Sequence, residues 1–276
     1  LPIISLLKNN YHLHTLGLSN TMITDEDLLL LSTTLKQYNH NIINLDISYC
    51  SKITDIGIQS LSENCKNMKI LNMKGLQRIT SLSIQMFANR CWLLEKWYLD
   101  DIYLLTDTAF SYDGNIDGRS QTMEKMLSSL QILSLNYCDH LRNHTLRSLG
   151  ERCRRLHTLQ LAGCYGMNDI GLSYLMDPLL CPDSNVSLCQ TLRSLNLAFV
   201  TKITGKQLLE MFGVCPMLER LDLSGLSSVV TDDFIKAICQ LLPSLQSLKV
   251  NSCIQVTNVA LCHIAQSLWL EELQIN

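Results

Sequence analysis

The sequence repeats itself, and this repeat restricts the fold more than any other feature. The pattern L-x-x-L-x-L recurs, and its second apolar residue, called the anchor below, is found ten times: at Leu16, Leu45, Leu71, Trp97, Leu133, Leu159, Leu195, Leu221, Leu248 and Leu273. Seven of the nine separations are 25 to 29 residues, and the other two are 36 residues. A period between about 20 and 50 residues is typical of proteins in which identical structural units stack on one another.

Each repeat predicts one strand followed by one helix. The alternation in Leu156-x-x-Leu159-x-Leu161 is typical of a short strand with its leucines on one side. A helix start follows, with an N-cap oxygen and in most repeats a carboxylate, at Thr24-Asp25, Thr54-Asp55, Thr106-Asp107, Asn168-Asp169, Thr231-Asp232 and Thr257-Asn258. Neither element can bury its apolar face alone. We therefore expect an α/β solenoid with a parallel sheet on its concave face and helices on its convex face.

The repeat also predicts the domain organisation. We expect residues 1–276 to form a single solenoid of about ten repeats of about 26 residues. The two long repeats place their extra residues near 112–121 and 177–186, which we expect to be loop inserts. Both ends of the chain interrupt the pattern, and a solenoid needs polar caps. We therefore expect the natural protein to continue beyond this chain.

Cysteine placement follows the repeat. Nine of the twelve cysteines occupy two repeat positions, five residues after or six before an anchor: Cys50, Cys138, Cys164, Cys253, Cys65, Cys91, Cys153, Cys189 and Cys215. A thiol is small and apolar enough for the interior of a tight coil, so we predict structural, reduced cysteines. A disulfide ladder and a metal site are the alternatives, although no C-x-x-C pair is present. Buried thiols favour the cytoplasm or the nucleus.

Charge and motifs exclude several function classes. The 22 Lys and Arg against 25 Asp and Glu leave a net charge of -3, so nothing favours a nucleic-acid partner. The longest apolar run, Leu28–Leu31, is far too short for a membrane span, so we expect no membrane partner. The sequence contains no catalytic or phosphate-binding signature. We therefore predict no catalytic residues, no cofactor and no metal, and a protein that is not an enzyme.

Three repeats carry a recognisable signature: Cys65-x-x-Met68-x-x-Leu71-x-Met73, Cys153-x-x-Leu156-x-x-Leu159-x-Leu161-x-x-Cys164 and Cys215-x-x-Leu218-x-x-Leu221-x-Leu223. They resemble the cysteine-containing leucine-rich repeat of F-box proteins and their relatives, and the resemblance covers essentially the whole chain. It implies a leucine-rich-repeat solenoid, or horseshoe, that binds a target protein in its groove. It further implies substrate recognition for an SCF ubiquitin ligase and ubiquitin-dependent protein degradation.

The same resemblance leaves a second function open. In the ubiquitin ligase interpretation, a Skp-type adaptor and a cullin attach through an F-box outside this chain. Related repeat proteins without an F-box are interaction scaffolds in cell-cycle, DNA-repair or axonemal complexes, so a scaffold without ubiquitin chemistry is the alternative. An F-box in the full-length protein would separate these two hypotheses.

Strand alternation predicts which residues face the partner. Residues one before, one after and three after each anchor are expected to point away from the core. The candidate partner-binding residues are Asp46, Asn72, Lys96, Tyr98, Asp100, Asn136, Gln160, Asn196, Asp222 and Lys249. An aromatic side chain among polar groups is typical of a protein-binding hot spot, and Tyr98 lies between Lys96 and Asp100 in this way.

Overall fold

The computed structural model describes residues 5, 7, 10, 12–37, 42–111, 120–180 and 187–276. Within these residues, ten three-residue strands alternate with nine α-helices and three short 3-10 helices. The chain divides into two compact units, Leu1–Ser134 and Leu135–Asn276, which are described separately below. The prediction of one continuous solenoid stays a prediction.

The first unit contains five parallel strands in sequence order. They are β1 (Thr15–Gly17), β2 (Asn44–Asp46), β3 (Ile70–Asn72), β4 (Lys96–Tyr98) and β5 (Ile132–Ser134). The helices are α1 (Asp25–Gln37), α2 (Asp55–Asn64), α3 (Ser81–Ala88) and α4 (Ser120–Ser129), with a 3-10 helix at Asp107–Ala109. Each anchor is paired with the anchor of the next strand, so the repeat period read from the sequence is also the register of the sheet.

The second unit repeats this arrangement. Its parallel strands are β6 (Thr158–Gln160), β7 (Ser194–Asn196), β8 (Arg220–Asp222), β9 (Ser247–Lys249) and β10 (Glu272–Gln274). Its helices are α5 (Asn143–Arg152), α6 (Asp169–Met176), α7 (Gly205–Phe212), α8 (Asp232–Leu241) and α9 (Asn258–Ser267), with 3-10 helices at Pro178–Leu180 and Leu188–Gln190. In both units, helices of neighbouring repeats pack against one another.

The core of each unit lies between the strands and the helices. Apart from Leu16 and Leu273, the anchors are at most 2% exposed, and the apolar residues two positions after them are buried as well. The helices contribute a second apolar row, such as Ile58 and Leu61 of α2. These observations confirm the α/β leucine-rich-repeat solenoid predicted from the pattern.

Nine of the ten described strands are followed by a residue with positive φ, four positions after the anchor. Glycine occupies this position at Gly75, Gly163 and Gly225, and a non-glycine residue occupies it in six other repeats. At Gly163 the reason is also steric, because an added Cβ would lie 2.4 Å from Cδ1 of Tyr137, whose ring covers the glycine. An aromatic side chain of one repeat thus packs closely against the turn of the next repeat.

The helix starts are joined from repeat to repeat. The Asp55 carboxylate at the start of α2 accepts hydrogen bonds from the Thr80 backbone N–H (2.8 Å) and hydroxyl (2.7 Å), and Thr80 is the N-cap of α3. The same pair of bonds links Asp25 to Thr54, Asp169 to Thr204 and Asp232 to Thr257. The sequence predicted caps for individual helices, whereas the structure links these four caps to the preceding repeat.

The two predicted inserts are only partly covered. Residues 112–119 and 181–186 lie outside the described residues. The last two positions of the first predicted insert belong to α4, and Pro178–Leu180 of the second forms a 3-10 helix.

Candidate binding face of the sheet

The strand face is the surface formed by the side chains one before and one after each anchor. These side chains are mostly half-buried in both units, while the anchors between them are buried. The predicted residues Asp46, Asn72, Lys96 and Tyr98 lie on the strand face of the first unit, and Gln160, Asn196, Asp222 and Lys249 lie on that of the second unit.

In the first unit, polar groups on the strand face interact with one another and with polar groups just beyond the strand ends. Asn72 donates a hydrogen bond to the Asp46 carboxylate (3.1 Å). The Lys74 ammonium lies 2.6 Å from Oδ2 of Asp100 and 5.2 Å from the centre of the Tyr98 ring. Lys74 was missed among the candidate residues, although it stands three positions after an anchor and this spacing could have identified it.

Asp100 is more enclosed than strand alternation predicts. It is 5% exposed, and its carboxylate binds Lys74 and accepts a hydrogen bond from the Ser134 hydroxyl. The chain leaves the extended conformation here, because Asp101 has φ 59°, so alternation no longer applies. Burial and then the neighbouring Asp100 carboxylate raise the pKa of Asp101. The partner-binding role of Asp100 stays a prediction.

Asp and Asn one position after an anchor also have a structural role. The Asp46 and Asp222 carboxylates accept from the backbone N–H two residues later, at 2.9 and 3.0 Å. Asn72 and Asn196 make the same turn. Asn136, three after its anchor, instead accepts from the backbone N–H of Ala162 at 2.8 Å. Polar residues on this face therefore shape the end of each strand as well as lining the surface.

A cavity of about 200 Å³ lies on the strand face of the second unit, and all five of its strands contribute to the lining. It brings together four of the predicted residues, Gln160, Asn196, Asp222 and Lys249. The structure adds Arg220 and Glu272, which stand one position before their anchors and which the candidate set had omitted.

One side of this cavity is an ion-pair network. The Lys249 ammonium lies 2.9 Å from Oε1 of Glu272, and the Ser247 hydroxyl donates to Oε2 at 2.7 Å. Gln274 donates to Oε1 as well. The hydrogen bond from Lys249 and then that from Ser247 hold the pKa of Glu272 below its ordinary value.

Acid is expected to weaken the second unit through two carboxylates. The Thr257 hydroxyl and backbone N–H lower the pKa of Asp232, and Lys249 and Ser247 lower that of Glu272. A lowered folded-state pKa contributes stability above the unfolded-state pKa, and this stability is lost as pH falls through the folded-state value. The urea midpoint should therefore decrease as pH is lowered from about 6 to about 3.

The matched variants for this experiment are Glu272→Gln and Glu271→Gln. Glu271 is the exposed neighbour. The decrease in urea midpoint should become smaller in Glu272→Gln and keep its full size in Glu271→Gln. Equal decreases in both variants would contradict the assignment to Glu272.

The described cysteines are free thiols, ten of them buried, and Cys262 is exposed. Burial raises the pKa of Cys65 to about 12 and also raises the pKa of Cys91. The described residues contain no group of three His, Cys, Asp or Glu side chains that could hold a metal ion. Cys181 lies outside the described residues.

Thiol reactivity is expected to separate Cys262 from the buried cysteines. Only the thiolate reacts with iodoacetamide, and burial both blocks access and disfavours the thiolate. In the folded protein, peptide mapping should find Cys262 alkylated well before Cys65, and urea should make the two rates similar. Rapid alkylation of Cys65 in the folded protein would contradict its packing.

Comparison with known proteins identifies the fold. No family model matches the sequence. One chain from a crystal structure of a TLR13–ssRNA13 complex superimposes with a TM-score of 0.58 at 19% identity, over 98% of this chain and 33% of that chain. The chain has the leucine-rich-repeat fold. The leucine-rich-repeat protein LegL7 from Legionella pneumophila aligns with a TM-score of 0.48 at 14% identity, over 95% of this chain and 89% of that chain.

A sequence relative agrees with the resemblance read from the cysteine-containing repeats. This 276-residue leucine-rich-repeat chain is 25% identical over 207 residues to F-box/LRR-repeat protein 4 of Bos taurus. The alignment covers 72% of this chain and 29% of the relative, so the chain spans less than a third of that protein's length. None of the helices within the described ranges has the length and hydropathy needed to cross a bilayer.

Proposed function

We propose that this chain is the target-binding part of an F-box type subunit of an SCF ubiquitin ligase. The similarity to F-box/LRR-repeat protein 4 carries the proposal. In this function, the repeats hold the target protein on the strand face, and an F-box outside this chain binds the Skp-type adaptor and, through it, the cullin. The ligase then marks the bound target for degradation, and this chain contributes no catalytic group or cofactor.

The chemistry of the strand face supports a protein target. Its side chains are mixed in charge and include the half-buried Tyr98 beside the Lys74 ammonium. Mixed polar groups around an aromatic ring are typical of protein interfaces. A nucleic-acid partner would instead be expected to require an excess of positive charge, whereas the net charge here is -3.

The buried cysteines support an intracellular site of action. Thiols with pKa values raised by burial, such as Cys65 and Cys91, persist reduced in the cytoplasm and the nucleus. Both compartments are consistent with ubiquitin-dependent degradation, and we propose one of them for this chain.

Affinity purification of the tagged full-length protein from its own cells tests the proposal. The Skp-type adaptor and the cullin should co-purify with it. A deletion of residues 12–276 should abolish target capture and leave adaptor binding intact. If neither adaptor nor cullin co-purifies, the ubiquitin ligase function is wrong, and an interaction scaffold in a cell-cycle, DNA-repair or axonemal complex takes its place.

A further inference from the structure

The cavity of the second unit has an arginine between two serines. Arg220 on β8 is paired in register with Ser194 on β7 and with Ser247 on β9. All three residues line the cavity, and Arg220 is exposed. Serine side chains are short, so they leave open space on both sides of the longer arginine side chain.

The other charged groups nearby have partners within the unit. Lys249 is paired with Glu272, which also accepts from Ser247. Arg193, outside the cavity, is paired with Glu219. Arg220 forms no ion pair with any residue that the structure describes, and its guanidinium keeps its donors for a ligand.

A second donor lies beside Arg220. The Ser194 hydroxyl oxygen accepts a hydrogen bond from Gln160 at 3.4 Å, which leaves the hydroxyl proton of Ser194 available to another acceptor. The Ser247 proton, in contrast, is already donated to Glu272. The open donors of the cavity are therefore a guanidinium fork and one hydroxyl group.

These donors match a carboxylate. A guanidinium presents parallel N–H groups at the spacing of the two carboxylate oxygens, and such charge-assisted pairs are among the stronger hydrogen bonds. Asp222 and Glu272 line the same cavity, so every additional negative charge on a ligand is repelled there. A phosphorylated side chain carries a charge of about -1.5 to -2, so it fits this environment less well than a singly charged carboxylate.

We propose that this cavity binds the side-chain carboxylate of a glutamate or aspartate in the target protein, through Arg220 and Ser194. The inference rests on the proposed function, because it assumes that the target lies on the strand face. It adds the chemistry of one contact, namely an acidic residue of the target at the level of β7 to β9.

Nuclear magnetic resonance of the arginine side chains tests the contact directly. The probe is the blocked tripeptide acetyl-Gly-Glu-Gly-amide, added to the ¹⁵N-labelled 276-residue chain at an ionic strength of about 0.15 M. The Nε–Hε signal of Arg220 is assigned by its loss in Arg220→Gln. This signal should shift as the Glu peptide is added, and the shift should saturate. Arg220→Gln should weaken binding at least about tenfold, measured from backbone signals of β7 to β9.

Two controls make the test specific. Arg193→Gln removes a paired arginine outside the cavity and should leave binding unchanged. The matched peptide acetyl-Gly-Gln-Gly-amide lacks the charge and should produce no saturable shift. Equal binding of the Glu and Gln peptides, or equal weakening by Arg193→Gln and Arg220→Gln, would overturn the proposal.

A third peptide distinguishes carboxylate from phosphate recognition. If the phosphoserine peptide acetyl-Gly-pSer-Gly-amide binds more tightly than the Glu peptide, the site is not a carboxylate site and the inference is wrong. This result is independent of the adaptor. Binding of the Glu peptide without co-purification of the adaptor would support the site and reject the ubiquitin ligase function, whereas the opposite result would reject only the site.

Discussion

Replacing Trp97 by alanine is expected to lower the free energy of unfolding by about 3–5 kcal/mol. Trp97 is the anchor of β4, is fully buried and lies with its ring centre 6.4 Å from that of Phe87. Alanine would remove most of this packing and leave a cavity that the neighbouring repeats cannot fill. Urea unfolding followed by far-ultraviolet circular dichroism measures the loss without relying on tryptophan fluorescence.

Trp97→Leu tests the same position more finely. Leucine is the residue found at the other anchors, and the indole N–H of Trp97 has no hydrogen-bond partner among the described groups. Removing this buried N–H offsets part of the lost packing, so Trp97→Leu should be less destabilising than Trp97→Ala. Equal losses for the two variants would contradict the cavity explanation.

The adjacent Tyr98 provides the matched control. Tyr98 points to the strand face and is only half-buried, so Tyr98→Ala should change the unfolding free energy much less than Trp97→Ala. If Tyr98 is a hot spot, the same variant should reduce target affinity by about 2 kcal/mol, as measured by titration calorimetry with the captured target. A loss of stability as large as that of Trp97→Ala would contradict the orientation of β4.

Replacing Asp55 by alanine is expected to lower the free energy of unfolding by about 1.5–3 kcal/mol, because Thr80 loses its charged acceptor. The Asp55 carboxylate accepts from both the backbone N–H and the hydroxyl of Thr80, and also from the Ser83 hydroxyl. The variant leaves the start of α3 with donors that no longer have their partner. Urea unfolding at neutral pH measures the change.

Glu26→Ala is the control for Asp55→Ala. Glu26 also lies in the first turn of a helix, α1, so both acidic residues interact with the helix dipole. Glu26 is exposed and makes no hydrogen bond to the next repeat within the described residues. A similar effect of both substitutions would assign the stabilisation to the dipole and not to the contact between repeats.

The repeat pattern was sufficient to predict the fold. The anchors are spaced so that Leu45, Leu71 and Trp97 pair in register, and the alternation around them correctly assigned the core and the strand face. Asp100 is more buried than alternation predicts for a physical reason: the alternation applies only while the chain is extended, and the strand ends before that residue.

The contacts between repeats could not be predicted from a single repeat. Asp55 has the position of an ordinary first-turn carboxylate, and only the register of two repeats shows that it binds Thr80. The same limit applies to Arg220. Alternation placed it on the strand face, but its neighbours Ser194 and Ser247 become apparent only when three strands are aligned.

The bond from one helix start to the next has a consequence for how such an array can change in length. The 26-residue segment 55–80 begins with the acceptor Asp55 and ends with the donor Thr80. A tandem duplication of this segment would place Thr80 of the first copy directly before Asp55 of the second copy. The new junction would then have the same Thr-Asp sequence as Thr54 and Asp55. Gene recombination can therefore add or remove copies of this segment while each aspartate keeps its threonine partner, whereas an insertion out of phase would separate the two residues.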